Sequence, residues 1–191
     1  EFFWLVLLLI APIITMRTFS HEKFTGTFET LMTTPVGDGQ VVMAKFVGSY
    51  VFFLIAFLPT LSYPFVLEHY AHQPLAVDAR AVMSAGMGIA LIGAFIMALG
   101  CFISSLTRSQ IVAAVSTFAL ATSLFIVGYL ADIRPTELNW WYSVFQHISM
   151  LNHMRDFATG IVDTRHIIFY LSLTGVFLFL TLKSVESRRW K

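Results

Sequence analysis

The sequence predicts an all-α fold, a polytopic bundle of membrane-spanning helices. Three observations carry that prediction. Hydrophobic residues make up 57% of the 191-residue chain and charged residues only 12%, about half the charged share of an average soluble domain. Mean hydropathy is +0.76. The apolar residues also gather into runs near the length of about 20 residues that crosses a bilayer, with no Asp, Glu, Lys or Arg at their centres.

Five such runs are expected as spans, over 2–18, 41–67, 80–106, 110–131 and 166–183. Residues 1–191 together read as a single transmembrane domain. The first run is slightly short, and the chain opens on Glu1 with no basic stretch ahead of Phe2. This predicts a fragment that begins at or within a membrane helix rather than a signal peptide. In the second run Pro59 and Pro64 lack backbone donors, so they are expected to kink or end the helix. Charge orients the stack: Arg17, Lys23, Lys45, Arg108, Lys183, Arg188, Arg189 and Lys191 fall on one side, and Arg80, Arg134, Arg155 and Arg165 on the other. The richer side is expected to be cytoplasmic. That places the 22–36 segment, the 107–109 turn and the C-terminus inside, and the 68–79 and 132–165 segments outside.

The third run has its own pattern. Gly86, Ala90, Ala94 and Ala98 recur every four residues, with Gly93 and Gly100 beside them. Such a ridge lets membrane helices approach closely, so this span is expected at the centre of the bundle. Packing within one subunit is favoured over a dimer seam. The outer 132–165 segment carries Trp141, Val144, Phe145, Ile148 and Leu151 at helical spacing. It is read as a re-entrant or interfacial helical hairpin turning near Gly160. Trp141, Phe145, Ile148 and Gly160 are candidates for an outer gate, the alternative being a surface brace.

The 22–36 segment is polar and half-apolar between two membrane runs. As one helix it would align Phe24, Phe28, Leu31 and Met32 on one face and Glu22, Thr25, Glu29 and Thr33 on the other, with Pro35 as a stop. A short amphipathic helix on a membrane surface is what a transporter needs to receive force from a soluble motor. An ordinary interfacial loop is the alternative.

Several chemistries find no support. There is no G-x-x-x-x-G-K-[ST] loop, so the chain is not expected to hydrolyse ATP, and there is no H-E-x-x-H or G-x-S-x-G. Ser104 and Ser105 fall on the opposite side from His147 and His153, which argues against an intramembrane hydrolase. His69 and His72 are two ligands without a third. The lone Cys101 has no disulfide partner within the chain. The lack of ionisable residues at mid-membrane disfavours an ion-coupled carrier, although Pro59 and Pro64 keep a broken helix open. Lys45, at an inner span end, can snorkel to the interface.

Several stretches resemble a known family. Thr15-Met16-Arg17, followed by Glu22-x-x-x-Gly26-Thr27-x-Glu29-x-Leu31-Met32-Thr33-Thr34-Pro35-Val36, is similar to the signature of ABC-2 type permeases. Lys45 and the run Ser104-Ser105-Leu106-Thr107-Arg108-Ser109-Gln110 add to it. Phe157-x-x-Gly160-x-x-Asp163, Tyr170-Leu171-Ser172 and Glu186-Ser187-Arg188-Arg189 resemble the branch of gliding-motility-associated permeases.

The resemblance implies a type V exporter-like fold with six helices per subunit, so the first helix and its elbow would be absent from this chain. It implies a second permease subunit, identical or not, and two copies of a cytoplasmic ATPase subunit that bind ATP and magnesium. This chain itself would hold no cofactor. Residues 22–36 would be the coupling helix that docks on the ATPase. Glu22 and Glu29 would offer carboxylates there, Gly26 would allow close backbone approach, and Phe24, Phe28 and Leu31 would anchor the other face to the membrane domain, with Thr27 and Pro35 also in the coupling segment. The outer hairpin would match the family's helical insertion. The function expected is export of a substrate, or transmission of force, across a bacterial inner membrane. An ATP-independent secondary transporter or channel is the alternative. The lipid membrane is a partner and nucleic acid is not; the substrate stays open.

Overall fold

The structure, a computed structural model, describes residues 2–28, 36–70, 78–133 and 149–187. Helix α1 (Phe2–Thr15) turns into the short α2 (Ser20–Thr25), and long helices α3 (Asp38–Tyr70), α4 (Ala79–Leu106) and α5 (Gln110–Ile133) follow. A nine-residue helix α6 (Met150–Ala158) precedes α7 (Thr164–Glu186). Among the described residues there is no strand. Helices α3, α4, α5 and α7 are long and apolar enough to cross a membrane. The 14 residues of α1 span about 21 Å, short of the roughly 30 Å hydrocarbon core. Of the five expected spans, four therefore meet the length by themselves and the first does not.

Helix α4 is the axis of the bundle. It packs against α1, α3, α5, α6 and α7. Of its most apolar stretch 78% is buried, against 28%, 22% and 17% in α3, α5 and α7. Lipid tails are as apolar as leucine, so burial alone does not draw these helices together; close packing and interhelical hydrogen bonds do. The small residues of α4 supply the sockets. A Cβ at Gly93 would lie 2.1 Å from the Phe53 ring, and one at Gly100 would lie 2.1 Å from Thr15 Oγ1. Gly88, off the four-residue ridge, receives Phe157 in the same way, at 2.7 Å, and Gly86 takes Leu61 at 3.2 Å. Phe46, Tyr50, Phe53 and Phe57 form an aromatic ladder along α3, with successive ring centroids 5.7, 6.4 and 4.5 Å apart. Tyr50 donates its hydroxyl to the Ala90 carbonyl at 3.0 Å, tying the ladder to α4.

The helix starts follow from their caps. Asp78 accepts from the Arg80 N–H at 2.9 Å, Asp163 from the Arg165 N–H at 2.9 Å, and Ser149 from the Asn152 N–H at 3.5 Å. Of the two outcomes expected at Pro59 and Pro64, an end is not seen: α3 continues to Tyr70 and takes in the first residues of the expected 68–79 loop. Two backbone donors are lost there, which leaves the Ile55 and Thr60 carbonyls without their i+4 N–H partners. Membrane helices tolerate such prolines through neighbouring helices and local adjustment of the turn.

Candidate functional site

The α2 end of the bundle is a knot of polar side chains. As α1 turns into α2, the backbone N–H groups of Phe19 and Ser20 would be unpaired. Both donate to the Ser104 hydroxyl at 3.1 Å, and that hydroxyl donates to the Met16 carbonyl at 3.2 Å. Ser104 sits two residues before the end of α4, so the start of α2 is pinned to the axis of the bundle. Lys23, 9% exposed, donates to the Ser105 carbonyl, which also accepts from Ser184 of α7 at 3.4 Å. Lys45 of α3 donates to the Thr18 carbonyl and to Glu22 Oε1, each at 2.5 Å, with its ammonium 5.0 Å from the Phe19 ring centre. Arg17 donates to Oε1 of Gln110, the first residue of α5, at 3.2 Å, and Gln110 Nε2 lies 2.8 Å from Nδ1 of His21 in α2. The α1–α2 elbow is thus bonded to the adjoining ends of α3, α4 and α5, and shares the Ser105 carbonyl with α7.

The structure departs from a continuous helix over 22–36. Helix α2 stops at Thr25, because Gly26 takes a left-handed conformation with φ 76°. Helical backbone resumes at Thr27 and Phe28. The break resets the helical phase, so Phe24 and Phe28 no longer share a face. Phe28 is 7% exposed, and the Lys23 ammonium lies 5.2 Å from its ring centre. Phe24 is 75% exposed, so it does not anchor α2 to the bundle as expected. Glu22 is not an open carboxylate either. Lys45 holds one oxygen, and the other is buried without a partner among the described residues. Glu29, Leu31 and Pro35 lie outside the described residues, as do Trp141, Phe145 and Ile148 of the expected outer gate.

Of that gate, Gly160 is described. It turns the chain between α6 and α7 with φ 85° and lies beside Ala81. Of the ridge, Gly86, Gly93 and Gly100 hold side chains of α3 and α1, while Ala94 and Ala98 are buried and Ala90 accepts from Tyr50. Sequence reasoning assigned no anchoring role to Ser104, Lys23 or Gln110. The available signal was the adjacent serines at the end of an apolar run, where nearby backbone groups need partners. Among the described residues no group of three or more His, Cys, Asp and Glu is placed to hold a metal.

A family model described as ABC-2 family transporter protein matches residues 2–188. No curated protein and no solved structure matches the chain.

Proposed function

From the premise that the chain belongs to the ABC-2 transporter family, we propose that it is the membrane-spanning subunit of a pump driven by a separate ATPase. Binding and hydrolysis of ATP with magnesium belong, on this reading, to two copies of that partner, and a second permease subunit completes the pathway. One observation carries the reading. The α1–α2 elbow is bonded to α3, α4 and α5, yet its most exposed aromatic side chain, Phe24, points away from all of them. A loop merely resting on headgroups has no need of such anchoring. A helix that receives a push does.

In this reading the ATPase cleft takes Phe24 and the backbone around Gly26, and Glu29 adds a carboxylate to the same contact. Glu22 works inward, as the counter-charge of Lys45. Movement of α2 reaches α4 through Ser104 and α3 through Lys45, and the pathway between subunits opens by alternation of two packings. The membrane is a bacterial inner membrane, the C-terminus is cytoplasmic, and the pump exports a substrate or transmits force. The finer kinship with gliding-motility-associated permeases rests on the C-terminal residues around Gly160 and Glu186.

The test is purification of the full-length protein from its native membrane in mild detergent. A stoichiometric soluble partner with a P-loop should accompany it, and Phe24→Asp and Glu29→Arg should each release that partner while the permease elutes unchanged. Purification of the intact protein alone, with solute flux in proteoliposomes lacking ATP, would replace this reading with a channel or secondary transporter.

A further inference from the structure

The other end of the bundle holds a second polar assembly that the coupling reading does not use. Helices α6 and α7 meet there through alternating side chains. His153 Nδ1 of α6 lies 2.9 Å from the Tyr170 hydroxyl of α7, the His153 and His166 rings lie 4.0 Å apart, and His166 Nε2 is 3.1 Å from Asp156 Oδ2. Phe157 fills the Gly88 socket, and its carbonyl accepts from Ser84, so the pair is fixed to α4. Beside this seam opens a cleft of about 420 Å³, lined by Asn152, Asp156, Asp163, Arg165, His166 and Phe169 together with His153. The volume suits a small polar group, within the roughly 300–1,000 Å³ of ligand sites.

The charges in the cleft are not equivalent. Asp163 holds the Arg165 backbone N–H and Asp156 holds His166. Each carboxylate keeps a second oxygen for which no bond is described. The Arg165 guanidinium is exposed and makes no hydrogen bond or ion pair with any described residue. Around this cation the surface is apolar: Ile161 and Val162 precede it at 59% and 45% exposure, and Ile168 and Leu171 follow it along α7 at 64% and 56%. Because α7 is long and apolar enough to span a membrane and only 17% of its apolar stretch is buried, lipid is the natural surrounding of those side chains. Arg165 therefore stands where a helix enters the bilayer, with a polar cleft on one side and acyl chains on the other.

We propose that this cleft binds the headgroup of a phosphate-bearing amphiphile from the adjoining leaflet. The Arg165 guanidinium takes the phosphate through paired N–H donors, and the acyl chains run along Ile168 and Leu171. The spare oxygens of Asp156 and Asp163 accept an ammonium, so a headgroup carrying both charges is preferred over one that is only anionic. The site is independent of the coupling reading, since it needs only α6, α7 and the start of α4.

The test uses the full-length protein in detergent micelles, with retained lipid read by native mass spectrometry. Phosphatidylethanolamine, phosphatidylglycerol and a phosphate-free diacyl glycolipid are supplied in turn, with inorganic phosphate as competitor. Phosphatidylethanolamine should be retained about tenfold over the glycolipid, the size expected for one charge-assisted contact. Phosphatidylglycerol should fall between them. Arg165→Gln should abolish the preference and Arg165→Lys restore part of it, while Arg80→Gln, a cation at the same end outside the cleft, should leave it intact. Equal retention of the phosphate-free lipid would overturn the proposal, as would an unchanged preference in a folded Arg165→Gln protein. Displacement by millimolar inorganic phosphate would identify free phosphate as the ligand and overturn the amphiphile. Retention lost only on dissociation to single subunits would assign the cleft to a contact between copies and overturn it equally.

Discussion

Lys23 and Lys45 at one end of the bundle and Arg165 at the other are used in opposite ways. At the α2 end Lys23 and Lys45 turn inward, onto the Ser105 carbonyl and onto Glu22 with the Thr18 carbonyl, and the exposed Arg17 bonds Gln110. At the α6–α7 end Arg165 is exposed beside a cleft and bonds no described side chain. Cations engaged by their own protein fix the position of an elbow, and one left open beside a cavity has donors to offer a ligand. On the readings proposed above, the difference separates an end that carries load from an end that receives a molecule, although both join short helices to the same axial helix α4.

Gly93→Leu should break both ends together, because its side chain would occupy the place of the Phe53 ring. Overpacking at such a site costs about 3 kcal/mol, the upper part of the usual range. Thermal unfolding followed by fluorescence-detected gel filtration should show the loss; unchanged stability would mean that α3 is free to leave α4. Lys45→Met should act at one end only. It leaves Glu22 partly buried with neither oxygen paired, which costs about 2 kcal/mol after allowance for the pair's partial exposure. Partner-dependent ATP turnover should fall while lipid retention at the far cleft stays at the wild-type level. A parallel fall in both would mean that the ends are not separable.

Phe24→Ala sharpens the contrast further, since the side chain is 75% exposed and supports nothing in this subunit. Its unfolding temperature should not move, whereas ATPase association should weaken about tenfold, as for an aromatic anchor at an interface. Wild-type association would remove Phe24 from the contact. Tyr170→Phe is the mildest change. It deletes the hydroxyl that meets His153 and should cost about 0.6 kcal/mol, the average for a hydrogen bond between membrane helices. A loss of several kcal/mol would show that the α6–α7 seam depends on that one bond.

Much of this fold was legible in the sequence because apolar runs report spans directly. The ridge Gly86, Ala90, Ala94 and Ala98, with Gly93 and Gly100 beside it, marked α4 as central, although Gly88, which seats Phe157, lies off that ridge. The continuation of α3 through two prolines was not legible, since a missing donor is visible in sequence and the packing that keeps the helix going is not. The split between Phe24 and Phe28 was hidden for a different reason. A period of 3.6 residues holds only while the helix continues, and the left-handed Gly26 ends it between them. At the far end, His166 and Asp156 stand ten residues apart in the chain and meet across the Gly160 turn. Nothing in local spacing predicts that pairing.

The seating of Phe53 on Gly93 has a mechanical consequence. Helix α3 is bonded to the α2 elbow at Lys45, rests on α4 at Phe53, and ends at Tyr70. At 1.5 Å per residue, the arm from Lys45 to the contact is about 12 Å and the arm from the contact to Tyr70 about 26 Å. Once the neighbouring contacts of Tyr50 with Ala90 and of Leu61 with Gly86 slip, a stiff rod rocking on that contact would act as a lever with unequal arms. An ångström of travel at Lys45 would become about two at Tyr70, with Pro59 and Pro64 both on the longer arm.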